Sequence, residues 1–228
     1  MSDKDRAVPA SAPSESPRAS DRPVRRRARE TRERIETAAL SAFAELGFEG
    51  ASTGAIARRA GVTQQLVIYH YGTKLALWQA VADGLFERLG RRIRERVDGL
   101  EGVDDGTRFR LLVREFVHFS AEVPELARFV FHEGHRNGPR LTWMIERHIR
   151  PQFDLVVGAL ERGQALGLVA SGDPVHLFFL LLGSAAMLAQ PAQAQLLTGR
   201  DLSKGDELDA YADLVVRAIS AQDAGENG

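Results

Sequence analysis

The stretch GASTGAIARRAGVTQQLVIYHYGTK, residues 50–74, decides how this chain folds. Ser52 or Thr53 can cap a short helix, because a side-chain oxygen there accepts an orphan backbone N–H of the first turn. Ile56, Ala57 and Ala60 then share one face at the spacing of a buried helical stripe. Ala57 is small and lets a second helix cross closely. Gly61 follows where a sharp turn needs positive φ, which glycine adopts without steric cost. Val62 plugs the corner, and Thr63 caps a second short helix carrying Gln64, Gln65, Tyr69 and His70. Two helices around a tight glycine turn, the second opening on polar side chains, bring a helix N-terminus within reach of base edges. A helix–glycine–helix pattern alone is common in all-α proteins, so the flanks carry weight.

Upstream, a helix from about Arg29 to Leu46 places Ile35, Ala38, Ala39, Ala42, Phe43 and Leu46 on one stripe and ends at Gly47. Its other face carries Arg29, Arg32 and Arg34. Downstream, Thr73 caps a helix from Lys74 to about Leu100, with Trp78, Val81, Leu85, Leu89, Ile93 and Val97 along one side. At 1.5 Å per residue it is roughly 35–40 Å long, enough to join two domains. Residues 29–82 resemble the DNA-binding domain of the tetracycline-repressor (TetR) family of bacterial regulators. The resemblance rests on three linked segments in order and spacing: AFAELGF at residues 42–48, IARRAGV at 56–62 and YHYGTKLAL at 69–77. Leu66 and Ile68 depart from it, standing where the family often has a small polar residue and a tyrosine, so base and phosphate contacts are not expected from them.

Charge distribution supports a DNA reader. The whole chain of 228 residues has a formal net charge of −1. Residues 22–74 nevertheless carry ten Lys/Arg against five Asp/Glu, and residues 75–228 seventeen against twenty-two. A basic small domain joined to an acidic larger one fits a DNA-binding head on a body with another task. With no cysteine there is no disulfide framework, zinc finger or thiol switch, which fits a cytoplasmic location. No secretory signal is visible in residues 1–29. The longest apolar stretch, Val175 to Leu188, contains His176 and Gly183 and falls short of the ~20 residues of a membrane span. It reads as a buried helix, with no membrane partner.

The expected fold is all-α. Residues 1–28, rich in Pro, Ser, Ala and Arg, read as a disordered basic arm ending in Arg25, Arg26 and Arg27, which either stays solvated or lies along DNA. Residues 29–73 form a three-helix helix-turn-helix domain. Residues 74–222 form a larger helical domain for ligand binding and dimerisation, and 223–228 a disordered tail. Within the larger domain Phe109 to Phe119 mark a helix ended by Pro124, and Leu126 to His132 a short one. Leu141 to Leu168 is a long helical segment that Pro151 should kink or interrupt. Asp173 and Pro174 open a helix to Gln190, stopped by Pro191, and a last helix runs from about Asp206 to Ala221.

The candidate DNA contacts follow from docking geometry and from the resemblance. Gln64 and Gln65 sit at the exposed start of the second helix, where glutamine pairs bidentately with adenine. Thr63 suits a phosphate or a thymine methyl. Tyr69 and His70 lie a turn further on, where phosphate contact is the better expectation, with His70 alternatively bonding between helices. Thr53 and Arg58 lie on the first helix of the motif, which crosses the backbone, although Arg58 and Arg59 also read as an ordinary solvated face. The resemblance implies a backbone contact from Lys74.

The larger domain concentrates Phe116, Phe119, Phe129, Phe131, Trp143 and Met144 on adjacent helices, with His118, His132 and Arg136 nearby. Each could be ordinary core. As a group they could line an apolar cavity with a few polar anchors, and Phe116, Phe119, Phe129, His132, Trp143 and Met144 are the candidate ligand-binding residues. His132, Glu133, His135 and His148 lack the spacing of a zinc hydrolase, so no metal, cofactor or catalysis is expected. The function expected is a ligand-responsive repressor, acting as a homodimer on a palindromic double-stranded DNA operator and released by a small apolar effector. Two readings compete with it: a helical scaffold without operator recognition, and a metal-dependent enzyme around His132.

Overall fold

The computed structural model describes residues 21–135 and 137–221. Eleven α-helices account for most of the described residues, and the only β-pairing among them is an isolated bridge between Val169 and Ser220. Residues 1–20 of the arm expected over 1–28, Arg136, and residues 222–228 with the expected tail lie outside the described residues.

Helix α1 runs from Asp21 to Gly50 and starts earlier than the sequence suggested: residues 21–28, expected as part of an unstructured arm, are its opening turns. Arg26–Glu30 (3.5 Å) is an i,i+4 pair that ties this extension to the expected helix and is worth a few tenths of a kcal/mol. The regular helix stops at Gly47, whose φ of 67° bends the chain before residues 48–50. Helices α2 (Thr53–Ala60) and α3 (Gln64–Tyr71) form the helix-turn-helix. Of the two candidate caps for α2 it is Ser52 that accepts the Ala55 N–H, at 3.1 Å, and Thr63 caps α3 by accepting from Leu66 at 3.2 Å. Thr73 caps α4 (Lys74–Asp98) through Ala76 N–H at 3.0 Å.

The body is built from α5 (Asp105–Glu122), α6 (Pro124–Gly134), α7 (Pro139–Met144), α8 (Arg150–Ala165), α9 (Pro174–Leu188), α10 (Pro191–Thr198) and α11 (Gly205–Ile219). Between α7 and α8 the backbone forms a π-helical turn, Ile145–Ile149. Pro151 explains it: proline offers no N–H to the ladder and its ring crowds the carbonyl four residues earlier, and a widened turn absorbs both defects without breaking the rod. Pro191 both follows α9 and starts α10, a helix the sequence pattern did not reveal.

Two large cores, with a small third cluster of Leu160, Val169 and Leu177, hold the described residues together. One gathers Ile35, Ala39 and Phe43 of α1, Ile56 of α2, Val67 of α3 and Trp78 of α4, and continues without a break into Phe119, Phe129 and Met144 of the body. The helix-turn-helix head is therefore fused to α5, α6 and α7 by apolar packing, not merely tethered through α4. The other core packs Val113 and Val117 of α5 against Leu181 and Leu188 of α9 and Leu208, Ala212, Val215, Val216 and Ile219 of α11.

Candidate nucleic-acid interface and effector cavity

The turn between α2 and α3 is held from outside. Gly61 takes φ 65°, and its backbone N–H caps α2 onto Ala57 and Arg58 carbonyls. Arg34 reaches across from α1, its Nη2 donating to the carbonyl oxygens of Ala60 (2.5 Å) and Gly61 (2.9 Å). Orphan carbonyls at a helix C-terminus are thereby satisfied by a cation, the charge that the negative end of the helix dipole favours. Arg59 is also committed, donating to Glu45 at 3.0 Å and to Ser41 at 2.8 Å, and its bond to Glu45, with the one the Ser41 hydroxyl donates to the same carboxylate at 2.9 Å, holds the Glu45 carboxyl below its usual range. Arg58, exposed, makes no ion pair among the described residues.

On the recognition helix the two glutamines differ. Gln64 Nε2 donates to Thr53 Oγ1 at 3.0 Å, lying over Gly54, where a Cβ would come within 3.4 Å of its amide oxygen. Gln65 is exposed with no side-chain bond among the described residues, and Tyr69 is 82% exposed, stacked edge-on against His70 at 5.3 Å. Thr63 is exposed but its hydroxyl already caps α3. Tyr71, by contrast, faces inward: its hydroxyl donates to Glu36 at 2.8 Å, and burial together with that carboxylate pushes its phenol above the ordinary range. Lys74 sits with Nζ 4.4 Å from the Phe48 ring centre and 3.5 Å from the Glu49 carbonyl oxygen. Leu66 is half-buried and Ile68 is 43% exposed.

In the body, a cavity of about 260 Å³ opens between α4, α5, α6, α8 and α9. Phe86, Phe109, Phe116, Phe131, Phe178 and Leu182 are among the side chains around it. Of the six candidate ligand-binding residues only Phe116 lines it. Phe119, Phe129 and Met144 are buried in the head–body core, with Phe129 stacked on Trp78 at 5.2 Å and Trp143 tilted against Trp78 at 5.6 Å. His132 packs beneath Gly47, where a Cβ would lie 3.3 Å from its Nδ1. Phe86, Phe109 and Phe178, which line the cavity from α4, α5 and α9, were not among the candidates.

Three further histidines go to separate places. His118 Nε2 lies 3.2 Å from Asp209 on α11, His135 Nδ1 lies beside the Phe131 carbonyl, and His148 Nε2 lies 2.9 Å from Asp83 on α4. Among the described residues no three His, Asp or Glu side chains gather as a metal site. No single described helix is long and apolar enough to cross a membrane.

Two family models match the chain. Residues 35–81 match "Bacterial regulatory proteins, tetR family", and residues 107–219 match "Tetracyclin repressor-like, C-terminal domain". The HTH-type transcriptional repressor SCO4008 of Streptomyces coelicolor is 31% identical over 172 residues, 74% of this chain and 84% of that protein. The regulator RutR of Escherichia coli is 28% identical over 176 residues, 74% of this chain and 78% of its own length. Among solved structures, AibR in complex with isovaleryl coenzyme A and operator DNA superposes with a TM-score of 0.65 at 19% identity, covering 83% of this chain and 97% of that one. A TetR-family regulator from Marinobacter aquaeolei gives 0.65 at 19% identity over 87% of this chain and 100% of its own. A capped helix-turn-helix fused to an all-helical body, with both parts matched in order, makes this chain a member of the TetR family of bacterial transcriptional regulators.

Proposed function

We propose that this regulator is a repressor that binds a palindromic operator as a homodimer and leaves it when a small apolar effector fills the cavity. The observation that carries the reading is the double duty of α6. Its Leu126, Ala127, Val130 and Phe131 line the cavity, while Phe129 and His132 pack on the head. α4 does the same, with Phe86, Leu89 and Ile93 at the cavity and Leu77, Trp78 and Val81 in the head–body core. A molecule that spreads α4 from α6 therefore moves the head that both helices hold.

Dimerisation supplies the geometric sensitivity. Two recognition helices must meet half-sites about one helical turn of DNA apart, so a few ångströms of head displacement break simultaneous docking. An effector shifts the balance only by its differential affinity, about 5.5 kcal/mol for a swing from 1:99 to 99:1. Gln65 and Tyr69 are the foremost DNA contacts, with Gln64 oriented by Thr53, and Thr63, Arg58, His70 and Lys74 toward the backbone.

The test is a footprint of the purified full chain on the DNA upstream of its own gene, repeated across a screen of apolar compounds. Protection of a two-fold symmetric site that a screened compound abolishes is the expected result. Absence of any protected site would sink operator recognition, and protection that no cavity-binding compound relieves would sink ligand control.

A further inference from the structure

The walls of the cavity specify the chemistry of what fills it. Among the described residues no Asp, Glu, Lys, Arg or His side chain lines it, and the only polar side chains are Ser120 and Gln152. Several ionisable groups on the surrounding helices are engaged elsewhere. Arg92 pairs with Glu115 at 2.5 Å, Arg114 with Asp209 at 2.8 Å and with Asp213, His118 with Asp209, and Arg128 donates to the Ala189 carbonyl at 2.7 Å. A carboxylate, phosphate or ammonium entering this space would lose its water and find no counter-charge, which is the costliest kind of burial.

The polar pair is unequal. Ser120 is buried and spends its proton on the Phe116 carbonyl at 2.7 Å. Gln152 lies in the first turn of α8, just past the π-helical turn, and its amide has no hydrogen-bond partner among the described residues. It offers one acceptor and two donors toward an otherwise apolar, phenylalanine-rich space. Size adds a limit. An apolar cavity of about 150 Å³ holds one benzene, and this one measures about 260 Å³, which suits two fused rings.

We propose that the cavity selects an uncharged, two-ring aromatic molecule bearing a single hydrogen-bonding group, and that Gln152 reads that group. The inference rests on the cavity being the effector site. The test is equilibrium dialysis of the full chain, without DNA, against four matched probes: naphthalene, naphthol, naphthoate and naphthylmethylammonium. Naphthol should bind at one per chain and about two- to ten-fold more tightly than naphthalene, the gain of one neutral hydrogen bond. Both charged probes should bind at least about a hundred-fold more weakly than naphthol. Gln152→Leu should erase the preference for naphthol while leaving naphthalene binding intact, a result that general damage to the fold would not give. Ala159→Trp, which fills the space, should abolish binding of both neutral probes. The proposal is overturned if a charged probe binds within ten-fold of naphthol, if no probe binds, or if Gln152→Leu leaves the ratio unchanged. Because the dialysis contains no DNA, a failure of operator recognition leaves its outcome untouched and shows only in the footprint.

Discussion

Arg34 Nη2 lies 2.9 Å from the Gly61 carbonyl oxygen, and the same nitrogen lies 2.9 Å from the place a Cβ on Gly61 would occupy. Gly61 is thus fixed as glycine twice, by a φ of 65° and by the cation leaning over it. Gly61→Ala should unseat Arg34 as well as strain the turn, costing more than the about 1 kcal/mol expected for glycine replacement at positive φ alone. Arg34→Ala alone should cost about 1 kcal/mol. Urea midpoints of the two single variants and the double would show the coupling. Strict additivity would mean that the two residues do not share this function.

The turn was legible in sequence and its brace was not. Ser52, Thr63, Gly61 and Thr73 act within four residues of themselves, so local patterns betray them. Arg34 acts across 27 residues and reads as one more charge on a helix face. The cavity was expected, but its lining was misassigned for a related reason. Phe129 and Phe131 lie about 200° apart around α6, so one turns to the head and the other to the cavity. Composition marks α6 as aromatic-rich, but only the packing partner of each face assigns a ring to core or pocket. Trp143 illustrates the consequence: 5.6 Å from Trp78, its fluorescence reports the head–body junction and not the cavity.

Gln65 should matter more for base choice than Gln64. Bidentate reading of adenine uses an amide oxygen and an N–H together, and Gln64 already gives an N–H to Thr53. Gln65→Ala is expected to cost about 1–3 kcal/mol on the preferred site and to relax preference at one position of each half-site. Lys74→Ala should weaken all sequences alike and lower the salt slope by about one. Binding titrations against site variants at two salt concentrations separate the two behaviours. Equal loss on every sequence for Gln65→Ala would remove it as a base reader.

Arg140 fastens the body to the head. Its Nε lies 3.1 Å from the buried Glu133 carboxylate, its Nη2 lies 3.1 Å from Glu49 after the bend in α1, and its guanidinium stacks 4.0 Å from the Phe48 ring centre. Glu133 is left only 5% exposed, and no other cation among the described residues is paired with it. Arg140→Met should cost about 3 kcal/mol, the lower end for stranding a buried charge, because Arg140 itself is 24% exposed. Adding Glu133→Gln should recover most of that loss. It should not recover the Glu49 link, so the double variant is predicted to fold yet release operator at lower effector concentration. Thermal melts and effector titrations together check this, and an unchanged titration midpoint would mean the link carries no coupling.

Dimerisation is predicted to use the outer stripe of α9. His176, Phe179, Leu180 and Gly183 are exposed at helical spacing, with Phe179 and Leu180 at 59% and 51%, and α11 adds Leu214 at 55%. A single contiguous apolar stripe in solvent marks an association surface. Phe179→Arg with Leu180→Arg should give a folded monomer with at least ten-fold weaker operator binding. Val215→Asp is a poor probe, since Val215 is buried in the body's own core and its loss would unfold the chain. Sedimentation at micromolar concentration decides: a monomeric wild type, or a dimeric double-arginine variant, would place the interface elsewhere or nowhere.

His148 makes stability depend on pH in a direction its surroundings set. Its ring stacks flat on Phe86 at 4.7 Å, meets Trp143 edge-on at 5.4 Å, and points Nε2 toward Asp83, which Arg147 also holds at 2.7 Å. Burial outweighs the attraction of Asp83, so the imidazole is held below its ordinary value of about 6.5. The unfolded chain therefore takes up the proton first as pH falls, and the folded state loses ground. The contribution is fully present above about 6.5 and disappears as pH drops through the lower folded value. Because His148 packs on both Asp83 and Phe86 of α4, and Phe86 lines the cavity, charging this ring should also disturb the α4 wall of the cavity. Urea midpoints from pH 7.5 to 5 should fall for the wild type, and less steeply for His148→Phe, which keeps the stacking and removes the titration. Parallel slopes for the two proteins would show that protonation elsewhere drives the loss.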